Sequence, residues 1–505
     1  MKIKTLRIIT VIIFTTIFFS CNNTLKSENE VTVAADTNSK NDKPEGKQTP
    51  APELGTLNGK ESESFYIGAN TITTYYPIAF FEDLIRGRAD INAEKNTGNP
   101  RSIVNQFGLM RKLRGPEFKQ IATPNNDTYY AQAFVDISNE PLIFHIPKIE
   151  PDRYFVFQLW DPYGDTFKYL GSRTIGNNGG DYAFVGPDYK GELPENLNIV
   201  NCPYNNFAIW GRIGALPNEN DEQKVHEIED NLTLMFLGGY KAGNGKSAAN
   251  QDFTDKRIEL SIPEDLPKGL ELYYKISKAL KHTPPKDLDV VLLESMPKIG
   301  YNKNGTTFDY KSLNKAQISG LKKAALYALN LMDVTASTVG INTNGWRWSP
   351  KSGIMGNDYL FRAAWAKWYT GGNSAEEAIY MDGRTDDKGN TFDASKRYIV
   401  HFDKESLPRV KAFWSISMYH LSDGSFVENE INRYSIGNKT KGLTYNKDGS
   451  LDIFIQAESP KEIKQKSNWL PTPKEGGFYL NLRLYNPDQS LQNGTWKPPM
   501  VKINN

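Results

Sequence analysis

Cysteine and histidine are scarce in this chain, with two Cys and five His among 505 residues. Cys21 and Cys202 are too few for a disulfide framework or a cysteine-based zinc site. His145, His226, His282, His401 and His420 form no His-x-His or His-x-x-x-His pair. His401-Phe402-Asp403 alone is too little for a metal centre, so no metal and no cofactor is expected. Neither sign of charge is in excess: 60 basic against 59 acidic residues leaves +1, which argues against a nucleic-acid partner. The sequence has no Gly-x-Ser-x-Gly elbow for a nucleophilic serine. Gly176-Asn-Asn-Gly-Gly180 opens no helix and reads as a hairpin loop, not a phosphate cradle. No apolar run reaches the roughly 20 residues that cross a bilayer as a helix.

What is present is a large supply of core-forming side chains. Aromatics make up 12% and charged residues 24%, the balance of a globular body. At the N-terminus Lys2, Lys4 and Arg7 precede an apolar run from Ile8 to Ser20. This is the pattern of an export signal. Its end, Phe18-Phe19-Ser20-Cys21, resembles a bacterial lipobox, with Phe18 where Leu is usual. Residues 1–20 are thus expected to be a signal peptide and Cys21 the lipidated first residue of a membrane-anchored envelope protein. Residues 21–62 are poor in large apolar side chains and read as a disordered tether. Cys202, beside Pro203, reads as a small buried hydrophobe.

The remainder predicts three domains, at 63–220, 221–345 and 346–505. Phe65 to Ala89 has helical spacing, with Pro77 as an interruption or kink. From Tyr129 to Arg212 the period becomes two. Ala131, Ala133, Val135 and Ile137 share one face, as do Phe155, Phe157 and Leu159. Short strands without intervening helices argue for an antiparallel β-sandwich. Residues 221–345 read as mainly helical, clearest in the Ile318, Leu321, Ala325, Ala328 and Met332 stripe. After Trp346 alternation returns, with one helix near Tyr359–Tyr369. In the last strand Phe478, Leu480, Leu482 and Leu484 face a core, while Tyr479, Asn481, Arg483 and Tyr485 face the other way.

The candidate chemistry gathers at two polar corners, Thr123–Tyr130 with Asp161–Asp165, and Trp346-Arg347-Trp348. Asn125-Asn126-Asp127 has the residues of a backbone-capping turn. With Asp161 and Asp165 near the same corner, Asp127 also offers paired carboxylates of the kind that cleave glycosidic bonds. Asp127, Asp161, Tyr419 and Arg433 are the candidate catalytic residues. Aromatic faces beside amide and guanidinium donors suit sugars or other small polar ligands. The ligand-binding candidates are Asn126, Trp160, Arg173, Trp346, Arg347, Asn468, Trp469 and Trp496. Inter-domain packing is the plainer role for each tryptophan.

Asn125-Asn-Asp-Thr-Tyr-Tyr130, Leu159-Trp-Asp161 and Leu170-Gly-Ser-Arg-Thr174 resemble the bacterial domain of unknown function 1254. Tyr359-Leu-Phe-Arg-Ala-Ala364, Ala412-Phe-Trp-Ser-Ile-Ser-Met-Tyr419, Asn432-Arg-Tyr-Ser-Ile-Gly437, Asp448-Gly-Ser-Leu-Asp-Ile453, Asn468-Trp-Leu-Pro471 and Gly494-Thr-Trp-Lys-Pro-Pro499 resemble its companion, domain 1214. His420 departs from that pattern, which expects an acidic residue. The resemblance implies an immunoglobulin-like β-sandwich, a small helical domain and a C-terminal jelly-roll sandwich, and implies no activity. Two functions follow as expectations. The first is a lipid-anchored envelope protein, monomeric or homo-oligomeric, that binds a glycan or small polar ligand or builds an assembly. The second is a hydrolase or lyase acting on an envelope or extracellular glycan.

Overall fold

Alternation at period two gives a sheet two unlike faces, and here each face has its own partner. The computed structural model describes residues 54–91, 100–244 and 247–504. The signal segment, Cys21 and the tether up to residue 53 lie outside the described residues.

The N-terminal half is a sandwich of two sheets. One has five strands in the order Gly108–Leu109, Thr128–Asp136, Asn206–Gly214, Phe155–Trp160 and Thr166–Gly171. The other orders Asn198–Asn201, Gly180–Val185, Leu142–Ile146 and Thr233–Phe236. Tyr129, Ala131, Ala133 and Val135 meet Phe144, Phe184 and Leu234 in the core between them. The C-terminal half repeats the plan. Six strands run in the order Ile341–Thr343, Trp346–Trp348, Ala378–Gly383, Phe478–Pro487, Val410–His420 and Ser435–Gly437. Trp469–Pro471, Leu451–Gln456, Tyr398–Phe402 and Val501–Ile503 form the opposing sheet. Phe478, Leu480, Leu482 and Leu484 enter that core, as their spacing requires. The expected antiparallel pairing has two exceptions, since Gly180–Val185 with Asn198–Asn201 and Leu451–Gln456 with Trp469–Pro471 are parallel. The fold is therefore mainly β with a helical insert.

The helical core departs from the expected boundaries. The helix Gly59–Ala89 begins inside the stretch read as tether. It packs on Lys315–Thr338, Glu271–Ala279 and Tyr359–Trp368, so residues from all three expected domains build one helical core. It also runs unbroken through Pro77, which is buried. An interior proline costs about 3 kcal/mol. Contacts along both flanks of a 31-residue helix are enough to outweigh that. Thr233–Phe236 lies past the expected end of the first domain because it completes the four-stranded sheet.

Cys202 is buried, and burial pushes its thiol up to about 12. Its Sγ donates to the Val200 carbonyl at 3.6 Å. A thiol reagent added to the native chain is expected to leave Cys202 unlabelled, and denaturant to release it. Rapid labelling of Cys202 without denaturant would contradict this packing.

Candidate functional site

The outer faces of the five- and six-stranded sheets stack against each other. Tyr154, Val156 and Tyr169 of one pack with Ala378, Phe413 and Tyr485 of the other. The ring centroids of Phe413 and Tyr485 lie 4.2 Å apart, and those of Tyr154 and Tyr485 5.3 Å. Glu377 fixes the contact from one side. It accepts from the Tyr154 hydroxyl at 2.8 Å and from Arg173 Nε at 2.7 Å.

The corner at 123–128 is inserted into this seam. Asn125 Oδ1 accepts from the Asp127 amide at 2.6 Å, which is the capping turn its sequence indicates. Asn125 Nδ2 reaches the Tyr485 hydroxyl at 2.8 Å. Asp127 accepts from Ser415 Oγ at 2.6 Å and Ser435 Oγ at 3.1 Å. Strand alternation brings Ser415, Ser417 and Tyr419 to the same face as Arg483. Arg483 donates to Ser417 Oγ at 2.6 Å, the Thr123 and Pro124 carbonyls at 3.1 and 3.2 Å, and the Tyr419 hydroxyl at 2.8 Å. The Tyr419 hydroxyl in turn donates to the Pro124 carbonyl.

Behind this corner lies a layer of buried cations. Arg483 is 3% exposed and Arg212 is 5% exposed. Arg212 donates to Gln158 Oε1 and Asn373 Oδ1, both at 3.2 Å, and to the Gly371 carbonyl at 2.8 Å. The hydrogen bonds of both arginines thus go to neutral acceptors, leaving their charge to the surroundings. The Tyr130 ring has the Arg114 guanidinium 4.9 Å and the Arg212 guanidinium 5.5 Å from its centroid. Burial raises the Tyr130 phenol, but Arg212, Arg114 and Arg483 outweigh it and hold the group below its ordinary value. Burial takes Tyr419 to about 12, with Arg483 opposing it.

A pocket of about 190 Å³ opens where the corner meets the C-terminal sandwich. Asn126, Asp127, Phe413, Ser415, Ser435 and Lys439 line it. The Lys439 ammonium sits 4.7 Å from the Phe413 ring centroid. Lys439 Nζ and Asn126 Oδ1 are shielded from water and make no hydrogen bond among the described residues.

Only some of the expected residues meet here. Asp127, Asn126 and Tyr419 do. Asp161 does not: it lies in its own turn, where its carboxylate accepts from the Asp165 amide at 3.1 Å. Arg433 holds the Lys466, Ser467 and Trp469 carbonyls and so ties down the end of a short helix. Arg347 caps the helix Lys315–Thr338 through the Ala336 and Ser337 carbonyls. Asn468 bridges Thr444 and Asp452. Trp346, Trp469 and Trp496 donate to the Pro499, Gln456 and Ser406 carbonyls. Trp160 packs edge-on against Phe81 and Trp210, in a different cluster from Trp346. Arg173 crosses the seam to Glu377. Trp160 and Trp346, both candidates for a ligand wall, therefore do not share one. Each tryptophan fills a gap where a large apolar ring is needed. Among the described residues no group of His, Cys, Asp and Glu is arranged to hold a metal ion.

Asp161 has a measurable consequence of its own. Burial first, then the neighbouring Asp165 charge, raises its carboxyl to about 7. A raised acid stabilises the fold most below about pH 4 and loses that contribution as pH climbs through 7. Asp161→Asn keeps an acceptor for the Asp165 amide and carries no charge. Its denaturant midpoint is expected to exceed that of the wild type at pH 8, by up to about 4 kcal/mol in stability. The advantage should shrink at pH 5. A gap that does not change with pH would refute this assignment.

Sequence reasoning did not select Arg114, Arg212, Ser435, Lys439 or Arg483 as site residues. Two carried a readable signal: Arg212 and Arg483 are the charged residues of their strands, on the face away from the core. Lys439 had none, because nothing in its neighbours marks the loop as an inter-domain wall.

The chain can now be set beside known proteins. No curated protein matches it. A crystal structure of the VPA0106 protein from Vibrio parahaemolyticus is similar over 88% of this chain and 100% of its own length. The TM-score is 0.65 at 21% identity, a likeness of fold. A putative uncharacterized protein from Burkholderia cenocepacia matches over 88% and 95% at TM-score 0.40 and 11% identity, too remote to support an argument. Residues 104–235 match DUF1254 and residues 377–489 match DUF1214, each described as a protein of unknown function. The two matches follow in that order, one in each sandwich half.

Proposed function

We propose that this chain is an exported protein, lipid-anchored at Cys21 to a bacterial envelope membrane, that binds a sugar or other small polar ligand between its two sandwiches. One observation carries the binding reading. The seam opens into a pocket lined by the Phe413 ring, two serines, an aspartate, an amide and an amine. An apolar face with a few convergent polar groups is the usual make-up of a small-ligand site. The export reading rests on the charged start, the apolar run and the cysteine that ends it.

The test is a binding screen of the full chain against a glycan array and a set of small polar metabolites. Ala215→Trp places an indole at the rim of the pocket. It is expected to abolish any interaction found without lowering the melting temperature by more than a few degrees. A ligand that binds this variant as well as the wild type would sink the assignment. Mass spectrometry of the mature N-terminus tests the anchor, and an unmodified Cys21 there ends that part.

The glycan-cleaving alternative needs a carboxylate pair. Asp127 and Tyr419 share Arg483 as a neighbour, whereas Asp161 and Arg433 keep other partners. No observation favours that alternative, and it is not advanced.

A further inference from the structure

We infer that the ligand of this pocket is an acidic sugar, whose carboxylate pairs with Lys439. The inference rests on the reading that the pocket binds a sugar or small polar molecule, and it narrows the class.

Charge complementarity is the first argument. Lys439 Nζ is withdrawn from water and makes no hydrogen bond among the described residues. An ammonium in that position is costly without an acceptor. The Phe413 face, 4.7 Å away, returns only about 0.5–2 kcal/mol. The acids around Lys439 are Asp127, Asp152 and Asp221, and Arg153 is the nearby cation. Asp127 already takes two serine hydroxyls, with Arg483 behind it. Asp221 is bound to Arg153 at 2.6 Å, and Asp152 is exposed to solvent and makes no ion pair with Lys439. The described structure thus leaves the amine lacking one carboxylate.

The rest of the lining specifies what should accompany that carboxylate. Asn126 Oδ1 lacks a donor, which a ligand hydroxyl supplies. Phe413 contributes the ring-bearing wall, suited to the C–H face of a sugar. About 190 Å³ is the share of roughly six liquid waters. That is room for one small ring within the pocket. Burial, reinforced by Arg153, lowers the Lys439 pKa, and a bound carboxylate would act in the opposite direction.

The experiment is calorimetric titration of the full chain with glucuronate, galacturonate, glucose, galactose and acetate at matched ionic strength. A charge-assisted hydrogen bond predicts that at least one uronate binds roughly 10- to 100-fold tighter than its neutral hexose. Lys439→Gln should abolish that preference and leave the hexose affinity in place. Lys439→Arg should retain most of it, and this variant serves if the glutamine variant fails to fold. Equal affinity for uronate and hexose overturns the acidic-sugar inference while the pocket reading stands. So does a preference that survives Lys439→Gln, or acetate binding as tightly as the uronates. Binding by none of the five probes overturns the acidic-sugar inference, while the pocket reading is decided by the wider screen and the Ala215→Trp variant.

Discussion

Arg483→Met should loosen the junction between the two sandwiches more than any other single change at the seam. The guanidinium supplies four hydrogen bonds, to Ser417, Thr123, Pro124 and Tyr419. Methionine fills similar space and supplies none. Each buried acceptor left without a donor costs about 1–3 kcal/mol. Relief from desolvating the buried cation offsets part of this, since apolar replacement of a buried charge is mild when its partners are replaced too. Here the partners stay. We expect a net loss of about 3–5 kcal/mol, a large share of the 5–15 kcal/mol that holds a typical domain. Calorimetry should show one transition becoming two, with the earlier one reporting separation of the halves. Arg433→Met is the control. It also removes three bonds to carbonyls, but at a short surface helix, and should cost about 1 kcal/mol. Superimposable melting curves for Arg483→Met and wild type would refute the claim.

Gly371→Ala is the second large effect. Gly371 has φ +78, in the region that favours glycine. A Cβ there would stand 1.7 Å from Trp210 Cζ3. Trp210 has little room to retreat, because its ring stands edge-on to Trp160 at 5.4 Å, and Trp160 meets Phe81 at 5.3 Å. The Gly371 carbonyl also holds Arg212. Backbone strain of about 1–3 kcal/mol and overpacking of about 1–3 kcal/mol should add. Gly356→Ala separates the two, since Gly356 has φ +58 with nothing within 4 Å of its added Cβ. It should lose only the strain. Equal shifts in denaturant midpoint for the two variants would show that the Trp210 contact does not limit the fold.

Much of the architecture was legible because it follows from local pattern. Phe478, Leu480, Leu482 and Leu484 were assigned to a core by alternation alone, and they enter one. The Asn125 turn was legible for the same reason, being chemistry within three residues. The site was half legible. Asp127 and Tyr419 stood out by type, but their meeting point depends on Arg483, about 360 positions after the corner. Local sequence carries no record of such a pairing. The tryptophans misled because an indole serves a ligand wall and a core gap equally well. Arg347 and Arg433 misled because helix ends recruit the same guanidinium that a ligand would. The boundary errors share one cause: the helix Gly59–Ala89 finds its main partner about 250 residues onward.

The stacking of the two outer sheet faces has a consequence for how the chain is made. Tyr130 and Arg212 leave the ribosome well before Arg483, which follows Arg212 by about 270 positions. At about 5–20 residues per second, that interval is roughly 15 to 55 seconds. Over that interval an aromatic and cationic surface destined for burial waits for its C-terminal cover, and only Gly371 and Asn373 hydrogen-bond Arg212 sooner from beyond the first sandwich.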